Sequence, residues 1–215
     1  MSDNIKDSVE TDKSEEYKNE SKEFFDKLAN QYDSSLAGRK SKVLHGLVTK
    51  TMDKFEYKSV LDVGCGNGNF LIEVLKRKKV AVAGIDLSEK MIDEAKIRLG
   101  SEADLRNGDS EHMPWKNSSF DVVTCTLSFH HYPNPGAVLK EMRRVLNPGG
   151  KVIIADPWRP TPLRQIANIV LPLRKTGDIR FYSKPEIQKL LEQSGFKLIS
   201  WEQAKSAFIL VATPR

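Results

Sequence analysis

Between Ser59 and Pro214 the chain alternates short apolar runs with amphipathic stretches of about ten residues, an order that few folds accept. "SVLDV", "VAVAGIDL", "ADLRNGD", "FDVVTCTL" and "GKVIIAD" read as strands. "NFLIEVLKRKK", "SEKMIDEAKIRLG", "GAVLKEMRRVL" and "KPEIQKLLEQSG" carry helical spacing. Ser88 caps the second of these helices, Gly100 closes it, "NPGG" stops the third, and the last has Pro near its start and Gly past its end. Strands joined through helices run parallel, so the expected class is α/β, a parallel sheet with helices on both faces. "FKLISWEQ" and "SAFILVAT" then close the chain as a hairpin-like pair, and no internal repeat is evident.

In such sheets ligands bind beyond the carboxyl ends of the strands, near the point where strand order reverses. Those ends are Asp62 to Gly68, Asp86 to Ser88, Asp109 to Glu111 and Thr126 to His131, and they collect most of the unusual polar residues. The first is the glycine-rich turn "VLDVGCGNG". A P-loop would need a lysine after the glycines, and a dinucleotide turn would need G-x-G-x-x-G. This turn is one residue tighter, and Asp62 would repel a diphosphate. A nucleoside with positive charge reverses that objection: S-adenosylmethionine has an α-ammonium, a sulfonium and no phosphate. Asp62 then favours the ammonium, directly or through water, while Gly64 and Gly66 let the backbone approach. Asp86 can accept from both ribose hydroxyls, although an acid at that spacing also suits a dinucleotide. Leu87 can underlie the adenine, Asp109 can accept from its amino group, and Ser110 supplies a backbone N–H. Asp109 also reads as a turn residue after Gly108. Cys65, Asn67 and Glu111, within the same segments, complete the expected cofactor-binding set.

Composition narrows the alternatives. The 215 residues suit one domain, and 39% apolar with 29% charged is ordinary for a globular chain. Residues 1–20 hold seven acids against three lysines, a charge of −4, and are expected to be a flexible polar tail. No apolar h-region and no span of about 18 apolar residues is present. With two cysteines, Cys65 and Cys125, reduced thiols and a cytoplasmic location are expected. The densest basic cluster, "KRKK" at Lys76 to Lys79, lies at a helix end where the dipole favours cations, so nucleic acid is not the expected partner.

The segments "VLDVGCGNGNF", "GIDLSEKMIDEAK", "NGDSEHMPWKNSSFDVVTCTLSFHHYPNP", "LKEMRRVLNPGGKVIIAD" and "YSKPEIQKLLEQSGF" together resemble the class I S-adenosylmethionine-dependent methyltransferases. The nearest likeness is to the small-molecule group of the ubiquinone/menaquinone C-methyltransferases. The resemblance implies a Rossmann-like, doubly wound, seven-stranded sheet with its final strand antiparallel. It assigns Asp62, Gly64 and Gly66 to the methionine end, Asp86 to the ribose, Asp109 and Ser110 to the adenine end, and Thr126 to the methionine moiety. It also implies an N-terminal helical lid over residues 21–56, with Tyr32 a candidate contact, and a substrate-covering insertion over residues 157–184, within one domain spanning 21–215.

Methyl transfer is an in-line displacement, for which alignment and exclusion of water suffice unless a proton must leave. Of the four histidines, His130 and His131 alone follow the fourth strand. They serve either as a base or acceptor-orienting group, or as shapers of the loop against "PNP". No metal site is expected. In the insertion, "IANIVLPL" stands beside Trp158, Arg159, Arg164, Arg174 and Arg180. That composition fits either an amphipathic cover helix with solvated arginines or a wall for an aromatic or amphipathic acceptor carrying negative charge. An RNA or protein methyltransferase is a competing reading, though "TLSFHH" stands where an "NPPY"-type motif would, and a non-catalytic cofactor-binding subunit is another. The oligomeric state has no sequence signal.

Overall fold

The computed structural model describes residues 2–204 and 206–215. Its sheet is formed by β1 (Ser59–Val63), β2 (Ala81–Asp86), β3 (Ala103–Asn107), β4 (Phe120–Thr126), β5 (Leu146–Pro157), β6 (Phe196–Ala204) and β7 (Ala207–Pro214). Their order is β3-β2-β1-β4-β5-β7-β6, parallel throughout except for β7, which pairs antiparallel with both neighbours. The order reverses between β1 and β4, so the crest of the sheet opens there. The expected fold class is what the structure shows. Residues 147–150, "NPGG", lie within β5, where the pairing jumps from Phe120–Leu146 to Val122–Lys151.

Helices are α1 (Ser2–Leu28), α2 (Leu36–Met52), α3 (Asn69–Arg77), α4 (Glu89–Leu99), α5 (Pro135–Val145), α6 (Leu163–Val170) and α7 (Lys184–Gln193). Alternate strand residues feed two cores. Val60, Val122 and Ile153 pack with Val48 and Met52 of α2, Phe70 and Leu71 of α3, and Ile92 and Leu99 of α4. Leu61, Val123 and Ile154 face the other way, onto Leu139 and Met142 of α5 and Ile187 and Leu191 of α7. Each fully buried aliphatic or aromatic side chain of this kind contributes about 1.5–3 kcal/mol. Among the described residues no helix is long and apolar enough to cross a membrane.

Within residues 21–56, α1 ends at Leu28 and Ala29–Ser34 forms a 3-10 turn. α2 starts at Leu36, where Ser35 caps it by accepting from the Gly38 N–H at 3.0 Å. Most of the expected N-terminal tail, residues 2–20, lies in α1, whose Lys18 ammonium stands 2.8 Å from Asp109 and 3.0 Å from Glu111. The compositional argument weighed apolar burial alone and missed this docking by ion pairs. Met1, the first residue of that tail, lies outside the described residues.

Candidate active site

The turn after β1 is shaped by glycines in the left-handed region. Gly64 has φ +76°, and a Cβ there would fall 2.0 Å from Ser128 Oγ. Gly66 has φ +51° and open space where a Cβ would be, and its N–H donates to Asp86 Oδ2 at 2.8 Å. Both line a cleft at the crest, together with Asp86, Leu87, Asp109 and Ser110. Tyr32, Glu111 and Thr126 line it as well. The Thr126 hydroxyl is buried and has no hydrogen-bond partner among the described residues.

Three expected cofactor contacts do not reach that surface. Asp62 lies within the sheet between Gly84 and Thr124, is 2% exposed, and accepts from Thr124 Oγ1 at 2.8 Å. Burial pushes its carboxyl up to about 7, against the Thr124 hydrogen bond and helped by the charge of Asp86. Cys65 points into the core, so close under β2 that a Cβ on Gly84 would fall 2.7 Å from its sulfur. Asn67 is buried and donates to Asp33 Oδ1 at 2.9 Å. Asn69 donates to the same oxygen and Arg98 to Asp33 Oδ2, so Asp33 ties the segment before α2 to the glycine turn. In a turn this tight, Gly64 and Gly66 face the cleft while the residues between and after them face inward.

Asp86 accepts from the Ser88 N–H at 2.9 Å besides that of Gly66. Burial nevertheless raises it to about 6. Each carboxylate oxygen keeps a lone pair for a further donor. At the far end Lys18 bridges Asp109 and Glu111; burial opposes its charge, but those two hydrogen bonds outweigh it and hold the ammonium well above its usual range. Lys18, Ser21 and Phe25 of α1 reach into the cleft and narrow it to about 80 Å³. Ligand pockets are typically about 300–1,000 Å³, so a nucleoside requires α1 to shift outward. The sequence carried no signal for Lys18, Ser21 and Phe25, since nothing in their spacing marks a ligand.

A second cavity, of about 850 Å³, adjoins the first; Phe25, Tyr32, Leu127 and His131 line both. Its walls include Leu44, Leu47, Leu171 and Phe181, and it also carries Lys40, Arg159 and Arg174. The two sequence histidines divide here. His130 Nδ1 lies 2.9 Å from Asp156 Oδ1 and its Nε2 lies 3.1 Å from Asp178 Oδ1. Burial disfavours its charge, yet the two carboxylates raise it to about 10. Both ring nitrogens of His130 are thus engaged by carboxylates. Burial and the neighbouring imidazolium lower His131 to about 3, against the pull of Asp178 and the Gly177 backbone. The backbone carbonyl of His130 also receives N–H groups from Ile179 and Arg180, which fastens the insertion to this turn.

Known proteins are similar to this chain in sequence and fold. A methyltransferase domain family matches residues 61–154. The demethylmenaquinone methyltransferase of Lactobacillus johnsonii is 31% identical over 204 residues, 81% of this chain and 84% of that protein. The enzyme of the same name from Staphylococcus aureus is 31% identical over 197 residues, 86% of this chain and 80% of that protein. A SAM-dependent methyltransferase from Aquifex aeolicus, 24% identical, shares the fold with a TM-score of 0.61 over 76% of this chain and 87% of that one. The chain belongs to the class I S-adenosylmethionine-dependent methyltransferases, in the small-molecule group that includes the demethylmenaquinone enzymes.

Proposed function

We propose that the crest cleft holds S-adenosylmethionine and that the second cavity admits an amphipathic acceptor with an aromatic or aliphatic body and an anionic end. The observation that carries this is the meeting of the two cavities at Phe25, Tyr32, Leu127 and His131. The cofactor supplies a methyl group activated on a sulfonium. The protein's part is to position and to exclude water. Asp86 takes the ribose, Asp109 and Ser110 the adenine end, and Gly64, Gly66 and Thr126 the methionine end, with Asp62 favouring the ammonium from below. The unpartnered Thr126 hydroxyl and the open space at Gly66 fit such a ligand.

The acceptor follows from the second cavity. Apolar walls favour a hydrocarbon or ring, and Arg159, Arg174 and Lys40 favour a carboxylate, phosphate or phenolate. On α6, which contributes Ala167 and Val170 to that wall, Leu163, Ile166 and Ile169 are exposed, as suits an entrance for a lipophilic molecule. The relatives' names point to a quinone-type acceptor, which has such a body. α1 through α2 forms the lid and residues 157–184 the cover, within one domain. Free, buried Cys65 and Cys125 support a reducing, cytoplasmic setting. Labelled methyl transfer to a lipid-soluble extract, an aqueous metabolite extract, RNA and protein tests the reading. Label in the lipid-soluble fraction, lost on Arg159→Ala, supports it; label only in RNA or protein contradicts it.

A further inference from the structure

His130, His131 and Asp178 each offer one ligand atom, and those three atoms all lie within 4.8 Å of one another. Asp178 Oδ1 is 3.1 Å from His130 Nε2 and 3.7 Å from His131 Nε2. Around an ion with bonds of about 2.0–2.2 Å, neighbouring ligands stand about 3.0–3.5 Å apart, which the two Asp178 separations match to within a few tenths of an ångström. The set is the two-imidazole, one-carboxylate face that leaves further positions open for other ligands. Behind it Asp156, fully buried, holds His130 Nδ1 at 2.9 Å. A carboxylate on the far nitrogen is the usual support of a metal-bound imidazole, fixing its tautomer and orientation.

The electrostatics agree. Asp156 is buried and Asp178 is about three-quarters buried, and between them lie two imidazoles that are neutral when acting as ligands. Two buried carboxylates are balanced by one divalent cation. The cluster also faces the right space: His130, His131 and Asp178 line the second cavity, and His131 lines the cofactor cleft too.

We infer that His130, His131 and Asp178, backed by Asp156, form a binding site for a divalent transition-metal ion at the junction of the two cavities. Its mixed nitrogen and oxygen donors suit zinc, cobalt, nickel, manganese or ferrous iron better than calcium or magnesium. An ion there binds an acidic hydroxyl or enol of the acceptor and holds it as its anion, the proton passing to water, so that oxygen or an adjacent carbon becomes the nucleophile. That use of the ion rests on the proposed function; the ion's binding does not.

The full chain, stripped with a chelator and titrated with Co²⁺ alone, tests the site. The expected result is a visible d–d absorption that saturates at one equivalent and is displaced by Zn²⁺. Asp178→Asn and His131→Gln should abolish it, and Asp156→Asn should weaken binding by about 10–100-fold. On the unsubstituted protein, ¹⁵N shifts of both imidazoles of the pair should move on adding Zn²⁺, a readout that needs no variant to fold. No saturable equivalent of Co²⁺, or imidazole signals of His130 and His131 unmoved by Zn²⁺, overturns the inference. Metal binding with no transfer to any lipid-soluble acceptor would leave the site standing and refute the proposed function instead.

Discussion

Replacing Asp62 by Asn should make the unliganded protein more stable while weakening its hold on the cofactor. The carboxyl is carried from 3.8 to about 7 by burial. At about 1.4 kcal/mol per pKa unit, its charge costs the unliganded fold on the order of 4 kcal/mol. The sign is opposite to that of a salt-bridged acid. Because the folded-state value is raised, the native protein binds the proton more tightly, and stability falls as pH rises from 3.8 to about 7 and is level above. Asn keeps the shape and the Thr124 partner but cannot ionise. Thermal melts across pH should therefore show no gain for Asp62→Asn near pH 4 and a gain on the order of 10 °C near pH 8, at about 2–4 °C per kcal/mol for a chain of this size. S-Adenosylhomocysteine should raise the melting temperature of the original protein more than that of the variant. Methylthioadenosine, which lacks the ammonium, should act equally on both. A pH-independent difference between the two proteins, or equal stabilisation of both by S-adenosylhomocysteine, would refute the reasoning.

Further expectations concern the lid, the insertion and the glycine turn. Lys18→Met removes the ion pairs that seat α1 in the cleft, so cofactor association by stopped flow should quicken severalfold; an unchanged rate would mean α1 does not gate entry. Asp33→Ala cuts the link from the lid to Asn67, Asn69 and Arg98 and should lower stability by about 1 kcal/mol in urea melts, with faster amide exchange over residues 24–40. Arg174→Ala should raise KM for the acceptor and leave calorimetric cofactor affinity untouched, since Arg174 lines the second cavity and not the crest cleft. Gly64→Ala puts a methyl 2.0 Å from Ser128 Oγ at a positive φ and should abolish cofactor binding measured by calorimetry.

How much of this was legible in the sequence depended on whether the information was local. Apolar strands such as "SVLDV" and capped helices such as that after Ser88 announce themselves, because period and capping are short-range properties. The position of the crest acids followed from strand ends, and Asp86 and Asp109 line the cleft. That Cys65 and Asn67 face inward was not legible, because direction alternates within the turn and a motif does not record it. Nor was the docking of α1, because it rests on Lys18 and its acidic partners, far apart in the chain. Asp178, in an irregular stretch, gave no hint of its place beside His130 and His131, which the topology alone provides.

The central claim is that the reacting sulfur sits where the two cavities join. A crystal structure of the complex with S-adenosylhomocysteine measures this directly. The account requires the ribose on Asp86, Lys18 drawn away from Asp109, and the sulfur facing His131 and the second cavity. A nucleoside bound elsewhere, or a sulfur turned away from that cavity, would contradict it.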